Sequence, residues 1–299
     1  MILVLGEILF DLFSDNKRIG GAPFNFAFHL KKLGFPVRFV SRVGKDDLGG
    51  QILDFLNQHE FDVKDIQIDP DHDTGTVQVT MENNSHTFRI IPDSAWAHLS
   101  FDKNLSSLIQ QSCDLLYFGS LVQHSQTGLQ LIQRVTHQKK PETRVFCDIN
   151  LRPNSYTPAI IKNSLGAADI LKLNQEELKE ISDMENNGQT AQQTIELLMN
   201  VHDLEWIILT LGKHGSQWIS RKKTYHCPPI PQKKIVDTVG AGDAYAAVSA
   251  AGWLKGLPVE KIMGLASEFA GYICEIPGAL PEDEAIYHEF RQRIQTKAS

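Results

Sequence analysis

The chain has 299 residues, 42% of them hydrophobic and 22% charged, enough to build a sizeable core in one large α/β domain or two smaller ones. A net charge of −7 and a pI near 5.9 leave no basic footprint for nucleic acid, which is therefore not expected as a partner. No apolar run reaches the ~20 residues that span a bilayer, so no membrane partner is expected either.

Met1 to Phe13 is apolar, but it carries Glu7 and Asp11 and has no basic leader, so it reads as a buried strand rather than a signal peptide. Its clearest strand is Ile2 to Leu5. Apolar residues from Asn25 to Leu33 fall at helical spacing, with Gly34 as a C-cap and Pro36 beyond it. A strand at Val37 to Val40 and a helix at Gln51 to Asn57 follow. Thr76 to Met81 and His86 to Ile90 alternate in polarity about Asn83-Asn84-Ser85 and predict an antiparallel hairpin. Strands return at Leu115 to Phe118, Val145 to Asp148, Ile170 to Leu173 and Trp206 to Thr210, with helices at Glu176 to Ile181 and Gln189 to Met199. The Ala-rich stretch from Ala244 to Lys255 predicts another helix. Strands alternating with helices imply an α/β fold, a mostly parallel sheet with helices on both faces. Cys113, Cys147, Cys227 and Cys274 form no C-x-x-C pair and read as reduced core thiols of a cytoplasmic protein.

The chemistry concentrates in Asp237-Thr238-Val239-Gly240-Ala241-Gly242-Asp243-Ala244-Tyr245. Gly240 and Gly242 permit backbone conformations that aim successive N–H groups into one concavity, and the helix that follows adds its positive end. Asp243 beside such an anion hole suits a general base that takes a proton from an attacking hydroxyl. The run does not complete a dinucleotide-binding fingerprint, and it lacks the Lys-Ser or Lys-Thr of a Walker A loop. An ordinary tight turn is the plain alternative. Elsewhere Asn174 and Glu177 have the spacing of a capping box, Asp11 could cap a turn, and Arg152 could simply pair with Asp148. Most of these motifs fall at the C-terminal ends of strands, where open α/β sheets bind ligands.

Taken in order, the motifs resemble those of the ribokinase-like carbohydrate kinases, the phosphofructokinase B superfamily, and most of all fructokinases. Gly20-Gly21-Ala22-Pro23-Phe24-Asn25 resembles the sugar-binding Gly-Gly-Ala-Pro-x-Asn, and Val43-Gly44-Lys45-Asp46-Asp47-Leu48-Gly49 the next block. Asp148-Ile149-Asn150-Leu151-Arg152, Asn174-Gln175-Glu176-Glu177, Thr210-Leu211-Gly212-Lys213-His214-Gly215 and Asp237 to Asp243 complete the series. The resemblance implies one ribokinase-like, three-layer domain over residues 1–299. It also implies a small β lid from about residues 12–19 and 74–91, through which a homodimer could form. It implies ATP and Mg²⁺, with K⁺ as a further cation. Asp243 is then the catalytic base, and Gly240, Ala241 and Gly242 the anion hole. Asp11, Gly20, Gly21, Asn25 and Arg152 contact the sugar or its transferring phosphate. Asn174, Thr210, Gly212, Lys213 and Gly215 border the nucleotide, Glu177 reaches Mg²⁺ through water, and Asp237 helps bind the monovalent cation. The implied reaction converts D-fructose to fructose 6-phosphate. Ribose, 2-keto-3-deoxygluconate or a nucleoside as acceptor, and a non-catalytic sugar-binding protein, remain as alternatives. Ala97, His124 and Glu268 depart from the family pattern, where Asp, Arg and Asn are common.

Overall fold

A computed structural model describes residues 1–14, 16–82, 85–91, 93–184, 188–231 and 234–296, and its strands form two sheets. The first part of the chain runs β1 (Ile2–Leu5), β2 (Leu9–Leu12), β3 (Lys17–Gly20), α1 (Ala22–Lys32), β4 (Val37–Gly44), α2 (Asp47–Gln58), β5 (Ile66–Asp69), β6 (Thr76–Glu82) and β7 (Ser85–Ile90). The middle continues with α3 (Lys103–Gln110), β8 (Leu115–Gly119), α4 (Gln126–Gln138), β9 (Arg144–Asp148), α5 (Pro158–Ala167), β10 (Ile170–Asn174), α6 (Gln175–Met184) and α7 (Ala191–Val201). The last part holds β11 (Trp206–Thr210), β12 (Ser216–Ile219), β13 (Thr224–Cys227), α8 (Ala241–Leu254), α9 (Val259–Cys274) and α10 (Ala285–Gln295).

The large sheet has the order β13-β12-β11-β10-β9-β8-β1-β4-β5 and is parallel from β11 to β5. Its strands are apolar on both faces because both are covered. Ile2, Val4, Tyr117, Phe146 and Trp218 pack with α1, α2 and α8 to α10, whereas Leu3, Leu5, Phe118, Cys147 and Leu171 pack with α3 to α7. Burying each such aliphatic side chain contributes roughly 1.5–3 kcal/mol, so period-two alternation fixes the three layers. The chain leaves β1 in one direction towards β4 and returns to β8 on the other side, which puts the topological switch between β1 and β8.

Met1 to Phe13 is two strands in different sheets rather than one. Gly6, at φ 152°, turns the chain out of the large sheet, and a Cβ there would lie 2.3 Å from Pro23 Cγ. The second sheet has the order β3-β2-β6-β7, with β6 and β7 forming the expected antiparallel hairpin. Its predicted turn residues Asn83 and Asn84 lie outside the described residues, as do parts of the polar Asp183 to Gly188 stretch and of the tail after Arg293. The antiparallel pair β12 and β13 at the sheet edge was not foreseen.

Helix α8 starts at Ala241, earlier than the expected Ala244, because Gly240 in the left-handed region ends the preceding turn. It is buried from Ala244 to Gly252, and its small residues let α1 and α9 approach closely. Even one added carbon at Gly252 would stand 2.8 Å from Ile262. Cys113, Cys147 and Cys274 are buried, Cys227 is half-buried, and all are free thiols. Among the described residues no helix is long and apolar enough to cross a membrane.

Candidate active site

The N-terminal end of α8 meets α1 in the middle of the molecule. Asn25, buried on α1, donates from Nδ2 to Asp243 Oδ2 at 2.7 Å, so the expected base and a residue from the expected sugar motif touch. Burial raises the Asp243 pKa to about 6, with a further push from Asp148, against the Asn25 hydrogen bond and the charges of Lys172 and Arg152. A carboxyl near 6 is ionised at neutral pH yet basic enough to accept a proton. Gly240 at φ 78° is enforced by packing as well as by dihedral, since a Cβ would sit 2.3 Å from that of Ala279.

Beneath Gly242 lies a cation that sequence reasoning passed over. Lys172 Nζ is 3.6 Å from where a Gly242 Cβ would stand and 2.8 Å from Asp148 Oδ2, and both partners are buried. Burial opposes its charge, but Asp148, Glu177 and Asp243 outweigh that and raise its pKa. Asp148 therefore pairs with Lys172, and the plain reading of an Asp148–Arg152 pair is corrected. The field of half-buried Arg152 instead reaches Glu7, Asp11 and Asp243, opposing the rise that burial gives the pKa of each. Helix terminus, Lys172 and Arg152 together make an electropositive floor suited to phosphate.

Opposite this floor, Asp11 on β2 lies over Gly20 on β3. A side chain at Gly20 would place its Cβ 2.4 Å from Asp11 Oδ2, and one at Gly21, where φ is 111°, would strike the Glu7 carbonyl at 2.6 Å. Burial pushes Asp11 up to about 6 despite Arg152 and Arg18. Glu7 is pushed further, to about 8, by burial, with its own backbone amide and Arg152 opposing. Its Oε2 and the Oδ1 of Asn25 are buried without hydrogen-bond partners among the described residues. With a pKa near 8 the Glu7 carboxyl is mostly protonated at neutral pH and can donate as well as accept; unmet polar atoms of this kind cost about 1–3 kcal/mol and fit a ligand rich in hydroxyls.

Asn174 and Glu177 form the capping box: Glu177 N–H donates to Asn174 Oδ1 and Asn174 N–H to Glu177 Oε2, each at 2.8 Å. Glu177 Oε1 also accepts from Leu151 N–H at 2.9 Å, which joins this corner to the loop carrying Arg152. Both oxygens are thus occupied by backbone donors, a set that fits a magnesium ion held through water better than direct ligation. Thr210 ends β11, its hydroxyl 3.4 Å from the Leu173 carbonyl. Gly212 and Gly215 both have positive φ, and at Gly215 a Cβ would meet the Cys227 carbonyl at 2.1 Å. Lys213 between them is exposed. Asp237 accepts from Val239 N–H and Gly278 N–H, with Arg18 Nη1 4.0 Å away, and so braces the loop before α8. Glu268 pairs with Arg293. A broad depression of about 830 Å³ near Gln133, Asn163 and Asp169 contains none of these residues.

Lys172 and Glu7 were missed for a physical reason. Each is one charge in an apolar run, and only the sheet order brings them to Asp148 and Asp243. The signal available was their cost: an ionisable group inside a buried strand or at its end needs a partner.

Residues 6–285 match the family model described as pfkB family carbohydrate kinase. An uncharacterized sugar kinase of Pyrococcus horikoshii is 26% identical over 93% of this chain and 91% of its own. Its crystal structure with ATP superposes with a TM-score of 0.82, covering 98% of this chain and 100% of that one at 25% identity. The ATP-dependent 6-phosphofructokinase of Thermoanaerobacterium thermosaccharolyticum is 26% identical over 93% of this chain and 89% of its own. Fructokinase of Vibrio cholerae, bound to fructose, ADP and calcium, shares the fold at a TM-score of 0.82 and 23% identity over 97% and 98% of the two chains. With its order of motifs, its two sheets and a family match over nearly its whole length, the chain belongs to the pfkB family of carbohydrate kinases.

Proposed function

We propose that this carbohydrate kinase transfers the terminal phosphoryl group of ATP to a primary hydroxyl of D-fructose, giving fructose 6-phosphate. The observation that carries the reading is the contact of Asp243 with Asn25 over the Lys172 cation, which sets a base, a polar sugar ligand and an anion floor side by side. Asp243 takes the hydroxyl proton. The amides of Gly240 to Asp243, with Lys172 and Arg152, stabilise charge spread over the transferring group. Asp11, Gly20, Gly21 and Asn25 orient the sugar, while Thr210, Gly212, Lys213 and Gly215 border the nucleotide. Asn174 and Glu177 would hold Mg²⁺ through its water shell, and the cation, when bound, neutralises phosphate charge. Asp237 would order the loop before α8 around K⁺. The four-stranded sheet serves as the lid of a single domain, excluding water from the site, and its outer face as the contact of a homodimer. Free thiols support a reducing, cytoplasmic setting.

The test is coupled ADP release across fructose, ribose, 2-keto-3-deoxygluconate, a nucleoside and fructose 6-phosphate. Fructose gives the highest kcat/KM. Another acceptor exceeding it tenfold, about 1.4 kcal/mol of transition-state preference, overturns the fructose assignment, and no turnover on any acceptor overturns the kinase reading.

A further inference from the structure

Away from the residues above, two connections converge. The loop from β5 to β6 carries His72, and the segment after β7 carries Asp93 and His98, the last in a short 3₁₀ turn at Ala95–His98. The two imidazoles stack with centroids 3.5 Å apart at 16°, and because a metal lies in the plane of each ring that binds it, a shared ion requires the part-exposed His98 ring to turn out of this stack. Both Nε2 atoms face one carboxylate oxygen: Asp93 Oδ1 is 2.8 Å from His98 Nε2 and 3.9 Å from His72 Nε2. The three potential ligand atoms all lie within 4.8 Å of one another.

We propose that His72, Asp93 and His98 form a binding site for a divalent transition metal of the zinc class. Bonds of ~2.0–2.1 Å in a tetrahedral shell set ligand atoms about 3.3 Å apart, a spacing that the 2.8 Å and 3.9 Å separations bracket. The outer contacts are those of a built site. His72 Nδ1 lies 3.2 Å from Asp69 Oδ2, which fixes that ring nitrogen as the donor and leaves Nε2 with its lone pair towards Asp93. Asp69 is itself buried and held by Arg42 at 2.7 Å and by the backbone N–H groups of Asp71 and His72. In the neutral ring that lone pair facing a carboxylate is repulsive, and a proton or a metal ion between them relieves it. Metal exchanges for the Nε2 proton of His98, and three protein ligands leave the fourth position to water. Ala95 N–H already donates to the Asp73 carbonyl at 2.8 Å, so the metal closes a clasp across the two roots of the β6–β7 hairpin.

The test titrates the full chain, free of nucleotide, with zinc chloride by calorimetry and with cobalt chloride by visible absorption. Expected are one saturable equivalent per chain and the strong visible bands of four-coordinate cobalt. Asp93→Asn, at an exposed position where folding is safe, and His98→Ala each weaken binding at least tenfold, and Asp69→Asn weakens it about 10- to 100-fold through His72. His214→Ala, an exposed histidine outside the cluster, leaves it unchanged. Absence of a saturable equivalent, or affinity that survives both Asp93→Asn and His98→Ala in variants with wild-type melting curves, overturns the site.

Discussion

Replacing Asp243 by Asn should slow the enzyme and stabilise it at once. The amide keeps the shape of the carboxyl, and its oxygen can still accept from Asn25 Nδ2, now at 2.7 Å. What is lost is the proposed proton acceptor, so kcat should fall by about 10² to 10⁴ in coupled ADP release at saturating ATP and the best acceptor found. Stability moves the other way. Burial first, then Asp148, lifts the Asp243 pKa from 3.8 to about 6 against Asn25, Lys172 and Arg152, so ionising it in the folded chain costs ~3 kcal/mol above pH 6. Removing a first-turn carboxylate from the N-terminal end of α8 gives back about 0.3–1 kcal/mol, which leaves roughly 2 kcal/mol in favour of the variant. Because the folded pKa lies above the unfolded one, this group leaves wild-type stability whole below pH 4 and erodes it as pH rises through 6. The variant escapes that loss: its Tm should exceed wild type by roughly 3 °C at pH 8 and match it at pH 4. Wild-type kcat/KM should fall tenfold per pH unit below about 6 and level off above it. Near-normal kcat in the variant refutes the base assignment. A lower Tm at pH 8 refutes the electrostatic account.

Lys172→Ala leaves Asp148 buried without its partner and should cost about 3–5 kcal/mol in chemical denaturation. Adding Asp148→Asn should recover much of that stability without restoring kcat, whereas a single variant as stable as wild type would show that the pair is not desolvated. Potassium should raise kcat over a bulky organic cation at matched ionic strength by ordering the loop that Asp237 braces, and equal rates would remove the monovalent cation from the proposal.

Local chemistry was what the sequence displayed well. Gly34 as a cap, the Asn174–Glu177 capping box and the antiparallel pairing of β6 with β7 each depend on neighbours a few residues apart, and each appears as expected. Gly6 was unreadable, since an apolar run gives no sign of changing sheets until Pro23 is packed against it. The pairing of Asp148 depended on sheet order: β10 lies beside β9, which delivers Lys172, whereas Arg152 is carried past on the loop. Position in the sheet, not spacing along the chain, selects between two nearby cations. His72 and Asp93 stand apart in sequence for the same reason and carried no motif.

The way the small sheet is moored decides how it can move. Gly6–Ile8 is all that separates β1 from β2, and Gly21 alone separates β3 from α1. These tethers touch, Gly21 lying against the Glu7 carbonyl. The hairpin is moored on the same side, since Thr74 just before β6 bonds Gly44 and Asp46 and Ile90 at the end of β7 packs on buried Trp96. The sheet can therefore tilt only about the line of these roots, and a tilt of about 20° would carry the far end of β2, four residues of ~3.3 Å, some ~4–5 Å while hardly displacing Asn25 from Asp243. A fluorophore at Leu12 would register such a tilt as a large signal, and one near Gly21 would stay silent through the same event.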